Sequence, residues 1–175
     1  MIEQKLRTAI RDIPDFPKPG IIFKDITPIL QDPILCREVT DAFIDKLKGI
    51  RIDAVVGIES RGFLFAMLLA NQLEVPFVPI RKQGKLPYTT IEEAYELEYG
   101  TATIEVHKDS FDPGSRILLH DDLLATGGTV VAASKLIEKL GGKIAAYAFI
   151  ISLDFLNPKP QLLAYSDEVI SLVSY

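Results

Sequence analysis

The sequence predicts an α/β fold, a single domain with a mostly parallel sheet flanked by helices, and three observations carry that prediction. Short apolar runs at Ala54 to Ile58, Phe77 to Ile80 and Ile117 to His120 suit strands covered on both faces. Apolar residues at helical spacing follow the first and third of these runs, over Phe63 to Leu73 and Val130 to Leu140, so strands alternate with helices. A chain of 175 residues with 48% hydrophobic content can bury one good core and is too short to suggest two independent domains.

The elements follow in order. Ile2, Leu6, Ile10 and Ile13 recur at helical spacing and predict a leading helix that ends before Pro14. Pro14, Pro17, Pro19 and Gly20 then predict an irregular bridge. Asp32 reads as a helix cap with Pro33 in the first helical position, and Leu35, Val39, Ala42, Phe43 and Leu47 continue the apolar face to Gly49. Beyond the strand at Phe77 to Ile80, the stretch from Arg81 to Gly100 is polar and broken by Gly84 and Pro87. It is too long for an ordinary connection and reads as an active-site lid. Thr101 to Val106 returns as a strand, Gly141 and Gly142 stop the helix after Leu140, and Ala145 to Leu153 and Glu168 to Val173 supply the last strands. Ligands of such sheets bind beyond the carboxyl ends of the strands, where Ser60 to Gly62, Arg81 and Asp121 to Thr129 are expected to meet.

Composition narrows the function. Nineteen Lys and Arg against twenty-four Asp and Glu give a net charge of −5, which argues against binding nucleic acid or an anionic membrane. Any anion must therefore be met by a local site. The single Cys36 excludes an internal disulfide framework and a multi-cysteine metal site, and reads as a buried small apolar residue. Charges at Glu3, Lys5 and Arg7, with no long uncharged apolar run anywhere, predict a soluble, cytoplasmic protein.

The most informative stretch runs from Ile117 to Thr129. An apolar strand leads into Asp121 and Asp122, and Ala125, Thr126, Gly127, Gly128 and Thr129 then open a helix. Free N–H groups and the positive end of a helix dipole make such a turn a phosphate site, and small residues leave the approach open. No lysine follows the glycines, so this is not a nucleoside-triphosphate loop. Two carboxylates beside an anion site need another partner, such as a sugar diol or a magnesium ion. A sugar phosphate satisfies both halves.

These residues resemble the ribose-phosphate signature of the type I phosphoribosyltransferases, in the form carried by the adenine-specific branch. Asp15-Phe16-Pro17 with Pro19 to Ile26, Gly57 to Phe63, Arg81-Lys82 with Gly84 to Pro87, and Leu97 to Gly100 match that family in the same order. The resemblance covers roughly residues 5 to 153, and five ordered blocks are far more specific than one short pattern.

The resemblance implies transfer of the 5-phosphoribosyl group of 5-phosphoribosyl 1-diphosphate to N9 of adenine, giving AMP and diphosphate, as in purine salvage. It implies a small N-terminal hood over about residues 1–32, and a long flexible lid with its returning strand over about 81–106. Ala125 to Thr129 would hold the 5-phosphate, with Asp121 and Asp122 on the ribose hydroxyls directly or through Mg2+ carried by the diphosphate. Glu59, Ser60, Arg61 and Gly62 would form the diphosphate loop, with a non-proline cis peptide at Glu59-Ser60, and Arg81, Lys82 and Lys85 would neutralise the leaving group. Glu98 would exchange a proton with the purine; composition cannot choose it over Glu92, Glu93, Glu96 or Glu105. Tyr99 would contact the leaving group or anchor the lid. Adenine would lie against backbone groups of Ile22, Phe23 and Lys24, with Leu123 on a purine face, and the protein would be a homodimer.

Two positions depart from the pattern. Lys24 stands where the family more often has arginine, and His120 replaces an aliphatic residue and reads as a packed strand residue. His107 reads as a surface residue. Two alternatives stay open: a phosphoribosyltransferase for xanthine or hypoxanthine, against which the absence of lysine in Ala145 to Leu153 counts, and a non-catalytic sensor of the sugar diphosphate.

Overall fold

A computed structural model describes residues 1–97 and 100–175. Strands β1 (Arg11–Pro14) and β2 (Ile22–Asp25) form a separate antiparallel hairpin. Seven strands form the main sheet: β3 (Ala54–Ile58), β4 (Phe77–Lys82), β5 (Thr90–Glu96), β6 (Thr101–His107), β7 (Arg116–Leu124), β8 (Lys143–Ser152) and β9 (Val169–Ser174). Their order is β5-β6-β4-β3-β7-β8-β9. The five from β4 to β9 run parallel, while β5 and β6 add an antiparallel hairpin at one edge.

Helices cover both faces, because the central strands present apolar side chains alternately to each. On one face α1 (Ile2–Ala9), α2 (Thr27–Leu30), α3 (Pro33–Lys46) and α4 (Gly62–Leu73) bury Leu6, Ile29, Val39, Phe43, Phe65 and Leu69 against Val55 and Leu118. On the other, α5 (Gly128–Lys139) and α6 (Lys159–Leu162) bury Ala133, Leu136, Ile137 and Leu162 against Val56, Ile117 and Leu119. Asp32 caps α3 as expected, its carboxylate accepting from the N–H groups of Ile34 and Leu35.

Four sequence readings need correction. The leading helix stops at Ala9, with Ile10 in an extended conformation, and Ile13 belongs to β1. Pairing with β2 outcompetes a third helical turn, since the prolines that follow can close a hairpin but cannot extend a helix. Secondly, α2 was not expected; the Asp25 carboxylate nucleates it by accepting from the N–H and hydroxyl of Thr27. Thirdly, the polar stretch after Arg81 contains a full strand, β5, whose register with β6 runs from Thr90↔His107 to Glu96↔Thr101. Its alternation is hidden because Glu92 and Glu96 stand outward at a sheet edge while another glutamate, Glu93, takes an inward position and pairs with Lys135 and Lys139. Finally, β7 does not stop before the acids but carries them, continuing beside β8 to Leu124↔Ser152.

Candidate active site

The chain leaves β3 to build β4 on one side and returns to place β7 on the other, so the crevice outside the carboxyl ends of β3 and β7 is the switch point of the sheet. A polar cavity of about 310 Å³ opens there, lined by Glu59, Ser60, Arg61, Lys82, Asp121 and Asp122. Three blocks distant in sequence are thereby brought to one place.

The turn between β3 and α4 supplies the first wall, and its Glu59-Ser60 peptide is cis, as the resemblance implied. Gly62 opens α4 where no larger residue fits: a Cβ there would lie 2.8 Å from Asp121 Oδ1 and 3.2 Å from the His120 carbonyl oxygen. Arg61 extends over the cavity, its Nε 2.8 Å from Asp122 Oδ2 and its guanidinium 4.8 Å from the centre of the Phe23 ring. Glu59 turns the other way. Its carboxylate accepts from Arg81 Nε and Nη2, both at 3.2 Å, and from the Lys82 N–H at 2.9 Å. Burial alone would raise its pKa, but the Arg81 and Lys82 partners hold it below the ordinary value.

The acidic pair forms the second wall. Asp122 is buried, and its Oδ2 accepts no directed hydrogen bond among the described residues, being met by the Arg61 charge. Asp121 accepts from the Asp122 N–H at 2.9 Å. Burial, and then the adjacent Asp122 charge, push the Asp121 carboxyl well above the usual range. Added positive charge or hydroxyl donors would be favoured at such a pair. No three His, Cys, Asp or Glu side chains converge into a metal-holding group among the described residues.

Beyond the pair, Leu124 ends β7 and the chain turns through Ala125 and Thr126 to Gly127, whose φ of +91° demands glycine. Helix α5 then begins at Gly128 with no side-chain cap, leaving its first N–H groups available to an anion. The Thr126 carbonyl accepts from Gln161 Nε2, which fixes the turn from behind. The end of β5 overhangs it, since a Cβ at Gly128 would lie 3.9 Å from the Glu96 carbonyl oxygen and from Tyr95 Cδ2.

The basic cluster divides. Lys82 lines the cavity, whereas Arg81 is spent on Glu59 and on the Lys85 carbonyl, 3.1 Å from its Nη1. A residue that sequence reasoning left among undifferentiated glutamates organises this turn. Glu105 on β6 is buried and accepts from the N–H groups of Lys85 at 2.9 Å and Leu86 at 2.8 Å. It lies on the face of β6 opposite Ile104 and Val106 and is buried there under the Lys85–Leu86 turn, so strand alternation by itself gave no signal for it. His107 is also more than a surface residue, its Nε2 donating to the Pro87 carbonyl. Glu98 and Tyr99 lie outside the described residues.

The hairpin stands over the Arg61 side of the cavity. Phe23 faces Arg61, Ile22 is exposed, and Lys24 points to the opposite face, where it pairs with Asp12. Leu123 is half-buried against the core beneath α3 and α4. His120, on the strand just before the acids, is wholly buried with its ring edge-on to Phe43, as a packed residue should be, and neither ring nitrogen has a hydrogen-bond partner among the described residues. Cys36 is half-buried, donates to the Ile29 carbonyl, and has its thiol pKa raised by burial.

Comparison with known proteins gives the same picture. Residues 25–167 match the phosphoribosyl transferase domain. An adenine phosphoribosyltransferase of Cytophaga hutchinsonii is 53% identical over 175 residues, covering 100% of this chain and 97% of the relative. Among solved structures, the adenine phosphoribosyltransferase of Thermoanaerobacter pseudethanolicus superposes with a TM-score of 0.96 at 45% identity, with 100% of both chains covered. That of Saccharomyces cerevisiae, complexed with D-2,5-dideoxy-2,5-imino-altritol 1,6-bisphosphate and adenine, gives 0.93 at 40% identity with 98% of each chain covered. With its sheet order, its acid-walled switch-point cavity and its kinship in agreement, the chain belongs to the phosphoribosyltransferase family, within the adenine phosphoribosyltransferases.

Proposed function

We propose that the cavity between β3 and β7 is where a 5-phosphoribosyl group passes from 5-phosphoribosyl 1-diphosphate to N9 of adenine. The activity is that of an adenine phosphoribosyltransferase, a pentosyltransferase making AMP and diphosphate in purine salvage. The observation that supports the site most directly is the meeting of three blocks in one crevice: the Glu59–Arg61 turn, Lys82, and the Asp121–Asp122 pair beside an uncapped helix N-terminus. Adenine is the base because the compared enzymes of nearly full-length coverage are adenine enzymes, one of them complexed with adenine, and because Ala145 to Leu153 brings no lysine to meet a 6-oxygen.

Displacement at the anomeric carbon builds positive charge on the sugar while negative charge grows on the leaving diphosphate. Asp121 and Asp122 would accept from the ribose hydroxyls and favour the cationic ring. The N–H groups from Ala125 to Thr129 would fix the 5-phosphate, and Arg61, Lys82, Lys85 and the Ser60–Gly62 backbone would receive the diphosphate. Arg61 is half-exposed and paired with Asp122, so it can release that carboxylate to the sugar as it takes up the diphosphate. Glu59 and Arg81 act behind this surface by holding the Lys82–Lys85 turn. Residues 1–32 would serve as the hood, with backbone groups of Ile22, Phe23 and Lys24 bordering adenine opposite Leu123, and 81–106 as the lid bearing Glu98 and Tyr99. Glu98 would exchange the purine proton.

Mg2+ fits this site, since one carboxyl is driven toward its neutral form by burial and then by its neighbour's charge, and the other has an oxygen without a directed hydrogen bond. Arriving with the diphosphate and held near Asp121 and Asp122, it would supply charge neutralisation of the leaving group. We further propose a homodimer, since α4 exposes Leu64, Met67 and Leu68 together. The proposed compartment is the cytoplasm, in keeping with one cysteine and with no described helix long and apolar enough to cross a membrane.

The test is competition. The protein is incubated with 5-phosphoribosyl 1-diphosphate, magnesium and equal adenine, hypoxanthine, guanine and xanthine, and each nucleotide is followed. AMP alone is the expected product. Another nucleotide would overturn the base assignment, and tight sugar-diphosphate binding without any product would overturn catalysis.

A further inference from the structure

The cavity-facing hairpin is not part of the main sheet, so something else must fix its height above Arg61. Successive residues of a strand face opposite ways, and β2 uses this fully: Phe23 meets Arg61 on one face, and Lys24 meets the body of the protein on the other. Lys24 Nζ sits 3.8 Å from the centre of the Tyr175 ring and donates to Asp12 Oδ1 at 2.7 Å. Only 11% of its side chain is exposed. A desolvated ammonium is tolerated because a carboxylate and an aromatic face both compensate it.

Tyr175 is itself held firmly. Its N–H donates to the Ser152 carbonyl and its carbonyl accepts from the Asp154 N–H, both at 2.9 Å, so it extends the β8–β9 pairing. Arg7 of α1 covers the same ring at 4.9 Å and donates through Nη2 to the Ser174 carbonyl at 2.7 Å. One ring thus joins α1, the main sheet and the hairpin. The Lys24 departure from the family's arginine therefore concerns this contact and not a side chain in the cavity.

We infer that Tyr175 is a positioning residue for adenine recognition: its ring clamps Lys24 and thereby sets the height of the Ile22–Lys24 backbone and of Phe23 above the cavity. The inference rests on the proposed role of the hairpin as the adenine hood. Tyr175 touches no reacting atom, and its loss should weaken purine capture while the sugar-diphosphate site, built on β3, β4 and β7, stays intact.

The experiment is steady-state kinetics of the full chain, with adenine and 5-phosphoribosyl 1-diphosphate varied separately. Tyr175→Leu should raise KM for adenine by about tenfold and leave kcat and KM for the sugar diphosphate within about twofold. Tyr175→Phe, which keeps the ring face, should restore the adenine KM. Lys24→Met should raise the adenine KM as Tyr175→Leu does, and the double variant should be no worse than either single one. Should Tyr175→Leu fail to fold, Lys24→Met against Tyr175→Phe carries the comparison. A wild-type adenine KM in Tyr175→Leu or Lys24→Met, additive losses in the double variant, or equal losses in Tyr175→Phe and Tyr175→Leu would overturn the clamp. Phe23→Ala separates the two ideas: an unchanged adenine KM there sinks the hood itself, whereas a raised one beside a normal Tyr175→Leu sinks the clamp alone.

Discussion

Replacing His120 by leucine should change how stability depends on pH, by an amount the structure allows to be worked out. Burial pushes the His120 pKa down from 6.5 to about 3. In the unfolded chain the imidazole takes up a proton as pH falls through 6.5, while in the folded protein it stays neutral until about pH 3. Stability is therefore lost progressively as pH falls through this window and is unaffected well above it. At about 1.4 kcal/mol per pH unit, the loss between pH 7 and pH 5 comes to about 2 kcal/mol. His120→Leu conserves much of the volume beside Phe43 and abolishes this dependence. It also removes two buried nitrogens without partners, which should raise stability at pH 7 by about 1 kcal/mol or more. The assay is urea unfolding of both proteins at pH 7 and pH 5, at one protein concentration because a dimer would make apparent stability concentration-dependent. Carboxylates, Asp121 included, titrate in both proteins and cancel in the comparison. Equal losses in wild type and His120→Leu between the two pH values would refute the reasoning.

Four further outcomes are expected. Gly62→Ala places a Cβ 2.8 Å from Asp121 Oδ1, so it should cost about 1–3 kcal/mol in thermal unfolding and raise KM for the sugar diphosphate; normal values of both would remove Gly62 from the site. Glu105→Leu strips the acceptor from the Lys85 and Leu86 N–H groups and should raise KM for the sugar diphosphate about tenfold, with the adenine KM steady. Glu105→Gln keeps one acceptor oxygen and should lose much less; equal losses would mean that charge, not anchoring, matters. Arg61→Ala and Asp122→Asn should chiefly weaken the sugar diphosphate, while Glu98→Gln should lower kcat more than affinity, and wild-type kinetics in all three would sink the site assignment. Met67→Glu on the exposed face of α4 should shift sedimentation toward a monomer, and an unchanged mass would place any dimer contact elsewhere.

The acids and the small-residue turn were legible because phosphate and sugar recognition use short contiguous stretches. What a side chain faces is not contiguous. Arg81 reads as a leaving-group cation beside Lys82 and Lys85, yet its guanidinium is committed to Glu59 in the turn that follows the neighbouring strand β3. Glu105 looked like one of several lid glutamates until the Lys85–Leu86 turn closed over the face of β6 opposite Ile104 and Val106 and buried it. Strand β5 escaped notice because an edge strand with glutamates on its open face has no apolar run to announce it.

By itself the sequence determined the α/β alternation, the buried central strands, the capped start of α3 and the turn that opens α5. Each follows from periodicity or from backbone preferences acting over a few residues. Only the tertiary structure decided that β7 carries its acids to the end of the pairing with β8, that the first prolines close a hairpin, and that Lys24 leaves the cavity side for Asp12 and Tyr175. Those outcomes depend on which distant segment supplies the hydrogen bond, counter-charge or aromatic face. Such partners are chosen by packing the whole chain, because a buried polar group must be matched wherever its match is found.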